Sequence, residues 1–308
     1  MPDVASSHFD AALTNLSVAY RNNSYVAQDI APEVAVRRQS NRYFVYDPKR
    51  DNMRETFDGR APGAEAHELD FQLSSDLYYC DDHALESAIA DEENENADSP
   101  LQPQVDRVEF LTDKILLNKE IALATKLRDT AVIPNTAITA WNDTGGDPIT
   151  DIETGRASIV NQIQQAPNTL VLSFSVYTAL RNCAKVIDRI KYTNGGTIGT
   201  KALADLFDVE RALVGRAVKN TSAVGQNPSL QAVWGDDALL LYVPPRVSLK
   251  ATAAALTFAW SQAAGTRGVS VQAWREERRK ATMVRVQQYY DLKVVAPGAA
   301  YLFPSAVQ

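Results

Sequence analysis

Asp81, Asp82 and His83, with Glu86 just beyond, gather three carboxylates and an imidazole, the donor types a divalent cation seeks. A metal site needs three or four converging ligands, and the chain holds only His8, His67 and His83 besides its carboxylates. The spacing therefore reads as a charged helix start, where acidic side chains complement the dipole. The acidic run Asp91-Glu92-Glu93-Asn94-Glu95 lacks the spacing and central glycine of an EF-hand and reads as a solvated hinge ending at Ser99-Pro100. Nucleophilic catalysis fares no better: there is no Gly-x-Ser-x-Gly elbow and no cysteine motif with a partner histidine. Gly195-Gly196-Thr197-Ile198-Gly199-Thr200-Lys201 is glycine-rich, but its spacing is wrong for a phosphate loop and Lys-Ala stands where Lys-Ser/Thr is needed. The mixed-sign segment Arg275-Glu276-Glu277-Arg278-Arg279-Lys280 reads as a surface ion-pair face. The residues thus predict no enzyme, no cofactor and no metal.

Composition points the same way. The chain has 308 residues, with Lys and Arg totalling 31 against 38 Asp and Glu, a net charge of -7. That balance removes the basic footprint of a tight nucleic-acid binder. The length allows two or three compact units with ample core. Cys80 and Cys183 are far apart and are expected as free thiols. Met1-Pro2-Asp3-Val4 starts no charged-then-apolar leader and no apolar run reaches bilayer length, so a soluble intracellular product is expected, with no membrane partner. Asn-x-Ser/Thr triplets at Asn22, Asn142 and Asn220 carry no meaning without secretion.

The elements that would position any site follow from periodicity. Residues 1–31 are small and polar, with weak helical spacing at Leu13, Leu16 and Tyr20, and read as an arm. Between 37 and 75 the period changes to two: Arg42-Tyr43-Phe44-Val45-Tyr46 and the alternating 68–74 predict the two arms of a long hairpin. Its tip mixes both charge signs with Gly and Pro and is expected to be solvated. A two-stranded ribbon is marginal in water, so something outside it must hold it. Next come a short helix over 82–90 and the longest helix over 105–128. The latter has one apolar stripe at Val108, Leu111, Ile115 and Ala122 and another at Phe110, Leu117, Ile121 and Ala124. Residues 134–151 read as loop, 151–165 as helix, and Leu170-Val171-Leu172 as a buried strand. Val176, Leu180, Cys183, Ile187 and Ile190 predict one amphipathic helix capped by Ser173 or Ser175. A turn at 192–196, a helix at 201–207, a strand at 211–217 and a central strand at 238–243 complete a small mixed sheet. Val284, Val286, Tyr290, Leu292 and Val294 alternate with Arg285, Gln287, Tyr289, Asp291 and Lys293, which predicts one long closing strand with a polar face. Arm, ribbon and doubly apolar helix expose more sticky surface than a monomer keeps, which is the pattern of an assembling subunit.

Local wording supports this. Pro167-Asn168-Thr169-Leu170-Val171-Leu172-Ser173 leads into 181–191, followed by Leu213-Val214-Gly215-Arg216-Ala217 with Asn220-Thr221. Trp234-Gly235-Asp236-Asp237-Ala238-Leu239-Leu240 and Val294-Val295-Ala296-Pro297 to Ala300-Tyr301-Leu302-Phe303 come after these in order. Together with the order of elements, they resemble the HK97-fold major capsid protein of tailed bacteriophages along essentially the whole chain. Phe174 stands where a proline is common, and Cys183-Ala184 replaces a polar or proline turn.

The resemblance implies an α+β HK97-like fold: N-terminal arm 1–31, E-loop hairpin 32–80, P domain 81–166 with spine helix 105–128, A domain 167–274 with a mixed sheet, and a C-terminal strand 275–308 returning to the P domain. It implies self-assembly into hexamers and pentamers of an icosahedral head shell enclosing a phage genome. The alternative is an encapsulin-like nanocompartment shell. Intersubunit contact falls to the E-loop charges Lys49, Arg50, Asp51, Arg54, Glu55, Asp58 and Arg60. Lys49 is the only E-loop lysine, and no crosslinking motif accompanies it. The arm is too short to be a built-in scaffold, which implies a separate scaffolding protein beside a portal and a decoration protein. Packaged double-stranded DNA would be touched weakly and without sequence specificity by so acidic a wall. The expected place is the virion, after assembly in the host cytoplasm.

Overall fold

The computed structural model describes residues 8–9, 13–14, 17, 22, 24–45, 55–56, 58–68, 74–97, 101–191, 198–246, 252–261 and 269–308. In chain order the strands are β1 (His8–Phe9), β2 (Glu33–Val36), β3 (Ser40–Val45), β4 (Ser74–Tyr79), β5 (Asp81–Ala90), β6 (Thr169–Ser173), β7 (Arg211–Gly215), β8 (Val218–Asn220), β9 (Leu230–Ala232), β10 (Ala238–Leu241), β11 (Ala255–Trp260), β12 (Val269–Glu276), β13 (Ala281–Val294) and β14 (Ala300–Phe303). The helices are α1 (Ala27–Ile30), α2 (Asp91–Glu95), α3 (Pro103–Leu127), α4 (Pro148–Ile163), α5 (Phe174–Asn182), α6 (Ala184–Ile190) and α7 (Thr200–Leu206).

Two sheets carry the molecule. The larger is organised by β13, whose length lets it pair antiparallel with β5, β12 and β11. β2 adds in parallel to β11, and β1 adds antiparallel to β12. Alternation along β13 does what the sequence pattern requires: Val284 and Val286 are buried while Arg285 and Gln287 are not. Beneath that apolar face, with Ile89 and Val271, lie Val108, Leu111 and Ile115 of the long helix α3. The smaller sheet has the order β14-β10-β6-β7, mixed because β6 and β7 run parallel. Its central strand β10 is buried at every residue, as a continuous apolar run predicts. Leu123, Ala124 and Leu127, at the end of α3, enter the large core under this sheet.

The described parts of the arm are tied in. Val26, Ala27, Ile30 and Ala31 join the main core, and Leu13 joins the cluster under the larger sheet. Leu16, Tyr20 and the predicted turn at 192–196 lie outside the described residues.

Three expectations are corrected. Residues 82–90 are the strand β5, not a helix: His83, Leu85, Ser87 and Ile89 turn toward the core in period two, and ten successive residues pair with β13. Helix-forming Ala and Glu suggested otherwise, but sheet pairing outweighs intrinsic propensity. The predicted single helix from Val176 to Ile190 is two helices, because Cys183 adopts an extended backbone (φ -68°, ψ 123°) that ends one and starts the next. The break turns the stripe, so Val186 and Ile190 are buried while Ile187 is exposed. The returning arm of the hairpin includes β4 at 74–79; residue 68 is irregular, and 69–73, most of the expected strand 68–74, lie outside the described residues. The second stripe on α3 is also less buried than expected: Phe110 is exposed with Lys114 across its ring, and Leu117 and Ile121 are half-buried.

Candidate functional site

No cluster of metal-binding side chains occurs among the described residues. Strand alternation separates the candidates: Glu86 binds Arg285 at 2.9 Å, Asp82 accepts from Gln287 at 2.7 Å, and His83 stacks on Tyr290 with ring centroids 4.1 Å apart. Burial holds the His83 imidazole below its ordinary pKa. Cys80 and Cys183 are unbridged, and burial pushes the Cys80 thiol up to about 11. Among the described residues, no helix is long and apolar enough to cross a membrane. What the geometry offers instead is surface.

The ribbon β3–β4 is the first such surface. Its register puts Asn41, Tyr43 and Val45 opposite Tyr78, Asp76 and Ser74 on one face, and Ser40, Arg42 and Phe44 opposite Tyr79, Leu77 and Ser75 on the other. The inner face is anchored: Tyr43 and Tyr78 lie 5.1 and 4.8 Å, centroid to centroid, from the fully buried Phe258 of β11. Tyr43 donates to Asp76 at 3.0 Å, and the Tyr79 amide donates to Asp291 at 3.0 Å. This is the outside support that a two-stranded ribbon needs. The outer face has none: Phe44, Leu77 and Tyr79 are each more than half exposed. Toward the tip, residues 58–68 are exposed throughout, and Gly63 takes the left-handed φ of +82° that its turn demands.

Of the contact residues assigned to this loop, Glu55, Asp58 and Arg60 are exposed. Lys49, Arg50, Asp51 and Arg54 lie outside the described residues. A smaller ribbon, β8–β9, was not anticipated as a separate element; it exposes Val218, Leu230 and, beyond its strands, Val224.

The second feature is a junction in the interior that sequence reasoning missed. Lys119 and Glu120 sit side by side on α3 with no solvent exposure. Lys119 donates to Glu33 of β2 at 2.6 Å and lies 5.2 Å from the Tyr290 ring centroid. Glu120 accepts from the Ala27 amide at 2.7 Å, from the Val26 amide at 3.1 Å and from the Trp234 indole at 2.6 Å. Burial pushes its carboxyl above the usual range, against the pull of these donors. At the end of α3, Arg128 binds the Asp237 carboxylate and the Val233 carbonyl. The other Asp237 oxygen accepts from the Ser305 amide at 2.8 Å, and Asp236 accepts from Ser175 at 2.7 Å. Gly235 turns through φ +56° against the Arg128 guanidinium, where a Cβ would fall 2.4 Å from Nη2. The Trp234-Gly235-Asp236-Asp237 wording is thus explained residue by residue. The only advance signal was that run of unusual types before an apolar strand.

No family model matches the chain. It is 28% identical over 312 residues to the major capsid protein of Pseudomonas phage JBD67, covering 97% of both chains. It is 28% identical over 246 residues to the major capsid protein of Burkholderia phage BcepMu, covering 76% of each. Among solved structures it is similar to a phage-related protein from Bordetella bronchiseptica RB50, at TM-score 0.76 and 23% identity over 98% of both chains. The capsid structure of cyanophage P-SCSP1u shares the fold, at TM-score 0.58 and 12% identity over 92% of this chain and 89% of that one. The chain has the HK97-type fold of solved phage capsids and is similar over nearly its whole length to a phage major capsid protein, which supports reading it as a capsid shell protein.

Proposed function

We propose that the chain builds the icosahedral head of a tailed phage as hexamers and pentamers, with 32–80 as the E-loop lying over a neighbouring copy. The observation that carries this reading is the two-faced ribbon: one face stacked on Phe258, the other presenting Phe44, Leu77 and Tyr79 with nothing of the described chain to cover them. Obligate contacts of this kind bury upward of about 2,000 Å². Lys49, Arg50, Asp51, Arg54, Glu55, Asp58 and Arg60 supply the polar part of that contact. Residues 81–166 and 275–308 act as the P domain and its closing strand, and 167–274 as the A domain around the capsomer axis. β11 lies within that last range while pairing with β13.

A separate scaffolding protein, a portal and a decoration protein complete the assembly, which forms in the host cytoplasm and ends as the virion. The net charge of -7 suits a wall past which DNA must slide. No residue is assigned a catalytic role. The test is sedimentation and electron microscopy of the protein expressed with and without its neighbouring genes. Closed shells that package DNA support the reading. Shells that take up a neighbouring enzyme instead favour the nanocompartment, and a monodisperse monomer in every setting rejects both.

A further inference from the structure

The long helix α3 holds the two halves of the molecule with different residues. Toward the larger sheet, Lys119 binds Glu33 of β2 and Lys126 donates to the Leu292 carbonyl of β13. Toward the smaller sheet, Glu120 binds Trp234 and Arg128 binds Asp237. Glu120 and Arg128 are eight residues apart, about 12 Å along the axis at 1.5 Å per residue, so the 233–237 loop is held at two separated points rather than one. A single contact would leave a pivot; two contacts fix an angle.

The loop is equally fixed on its far side. The indole of Trp234 is buried against Gly215 at the end of β7, where a Cβ would fall 2.2 Å from the ring. Asp237 leads directly into β10, its carbonyl accepts from the Ser173 amide at the end of β6, and its carboxylate accepts from the Ser305 amide just past β14. All four strands of the smaller sheet are therefore tied to this one loop.

We infer that Glu120 and Arg128 are positioning residues for shell assembly: by clamping the 233–237 loop at two points, they fix the orientation of the smaller sheet relative to the larger and so hold shell curvature to one value. The inference rests on the capsid reading. The two sheets then move as one rigid unit at every position in the shell, and differences between positions are taken up outside that unit.

Two measurements test this. In a cryo-EM reconstruction of wild-type shells, the Glu120–Trp234 and Arg128–Asp237 contacts should persist in every symmetry-distinct subunit. Rotation of the two sheets with either contact broken in one class would overturn the inference. Trp234→Phe keeps the ring but removes the indole donor, and Asp237→Asn keeps the shape but weakens the Arg128 contact. Both should assemble with a several-fold larger fraction of off-size or aberrant particles than wild type, while Trp234→His, which keeps a ring N–H, should restore part of the uniformity. Variant shells of wild-type diameter and uniformity, whatever their yield, would show that the clamp serves folding alone. Absence of wild-type shells would instead reject the capsid reading itself, so the two failures are distinguishable.

Discussion

Lys119 and Glu120 are consecutive on α3, both fully buried, and they serve opposite halves of the molecule: Lys119 binds Glu33 of the larger sheet, and Glu120 binds Trp234 beside the smaller one. Neighbours on a helix point about 100° apart, so one buried segment can reach two partners. Placing two charges in a core is costly unless each is matched, and here each is.

The Lys119–Glu33 pair therefore gives an asymmetric mutational signature. Glu33→Gln leaves a buried ammonium over Tyr290 without its counter-charge and should cost about 3 kcal/mol, at the low end for a broken buried pair because Glu33 keeps some solvent contact. Adding Lys119→Met should restore much of the loss. Urea denaturation of the subunit reads both, and a double variant no better than the single would contradict the pairing.

Phe258 anchors the ribbon, and its removal should show in folding rather than only in assembly. Phe258→Ala deletes the ring on which Tyr43 and Tyr78 pack and should cost about 3 to 5 kcal/mol. Hydrogen exchange should then quicken first in β3 and β4. An unchanged melt would place the anchor elsewhere.

His83 makes stability depend on pH with a defined sign. Burial holds its pKa below the ordinary value of 6.5, so the folded state favours the neutral imidazole and the unfolded chain binds more protons in acid. Its contribution is complete above about 6.5 and is lost as pH falls below that. The groups around it are Asp81, Asp82 and Asp291, which favour the charged form, and Lys119, which opposes it. His83→Phe keeps the stack on Tyr290 and should flatten the fall in melting temperature between pH 7 and 5. A variant as acid-sensitive as wild type would clear His83 of that role.

Gly215 must lack a side chain. Gly215→Ala drives a methyl into the Trp234 ring, which Glu120 holds in place, and should cost about 1 to 3 kcal/mol. Gly199→Ala, where a Cβ meets open space, is the control and should stay within about 0.5 kcal/mol in the same denaturation experiment.

Much of this was legible because hydrophobic period maps directly onto burial. The long helix, the fully buried strand at 238–241 and the alternation of β13 follow from patterns that only one packing satisfies. Residues 82–90 misled because Ala and Glu favour a helix alone, whereas pairing with β13 is a contact to a partner two hundred residues away. The break at Cys183 left the apolar spacing intact while changing the face it covers. Lys119 and Glu120 could not be read as core at all, since a charged residue signals surface until its partner is seen. The contact role of the ribbon charges rests on the resemblance alone, because a contact between copies cannot be read from a single copy.

The account depends most on the ribbon acting between subunits rather than within one. Replacing residues 50–64 by a short Gly-Ser turn removes the charges of the ribbon tip, and closure entropy changes slowly with loop length. The charge reversals Arg54→Glu and Asp58→Lys are milder forms of the same change, each worth about 0.2 to 1 kcal/mol but repeated at every subunit. The deciding measurement is the circular dichroism melt of the loop-replaced subunit set beside sedimentation of its particles in the presence of the scaffold. The account predicts a melt within a degree or two of wild type and no closed shells. Normal shells, or a collapsed melt, would contradict it.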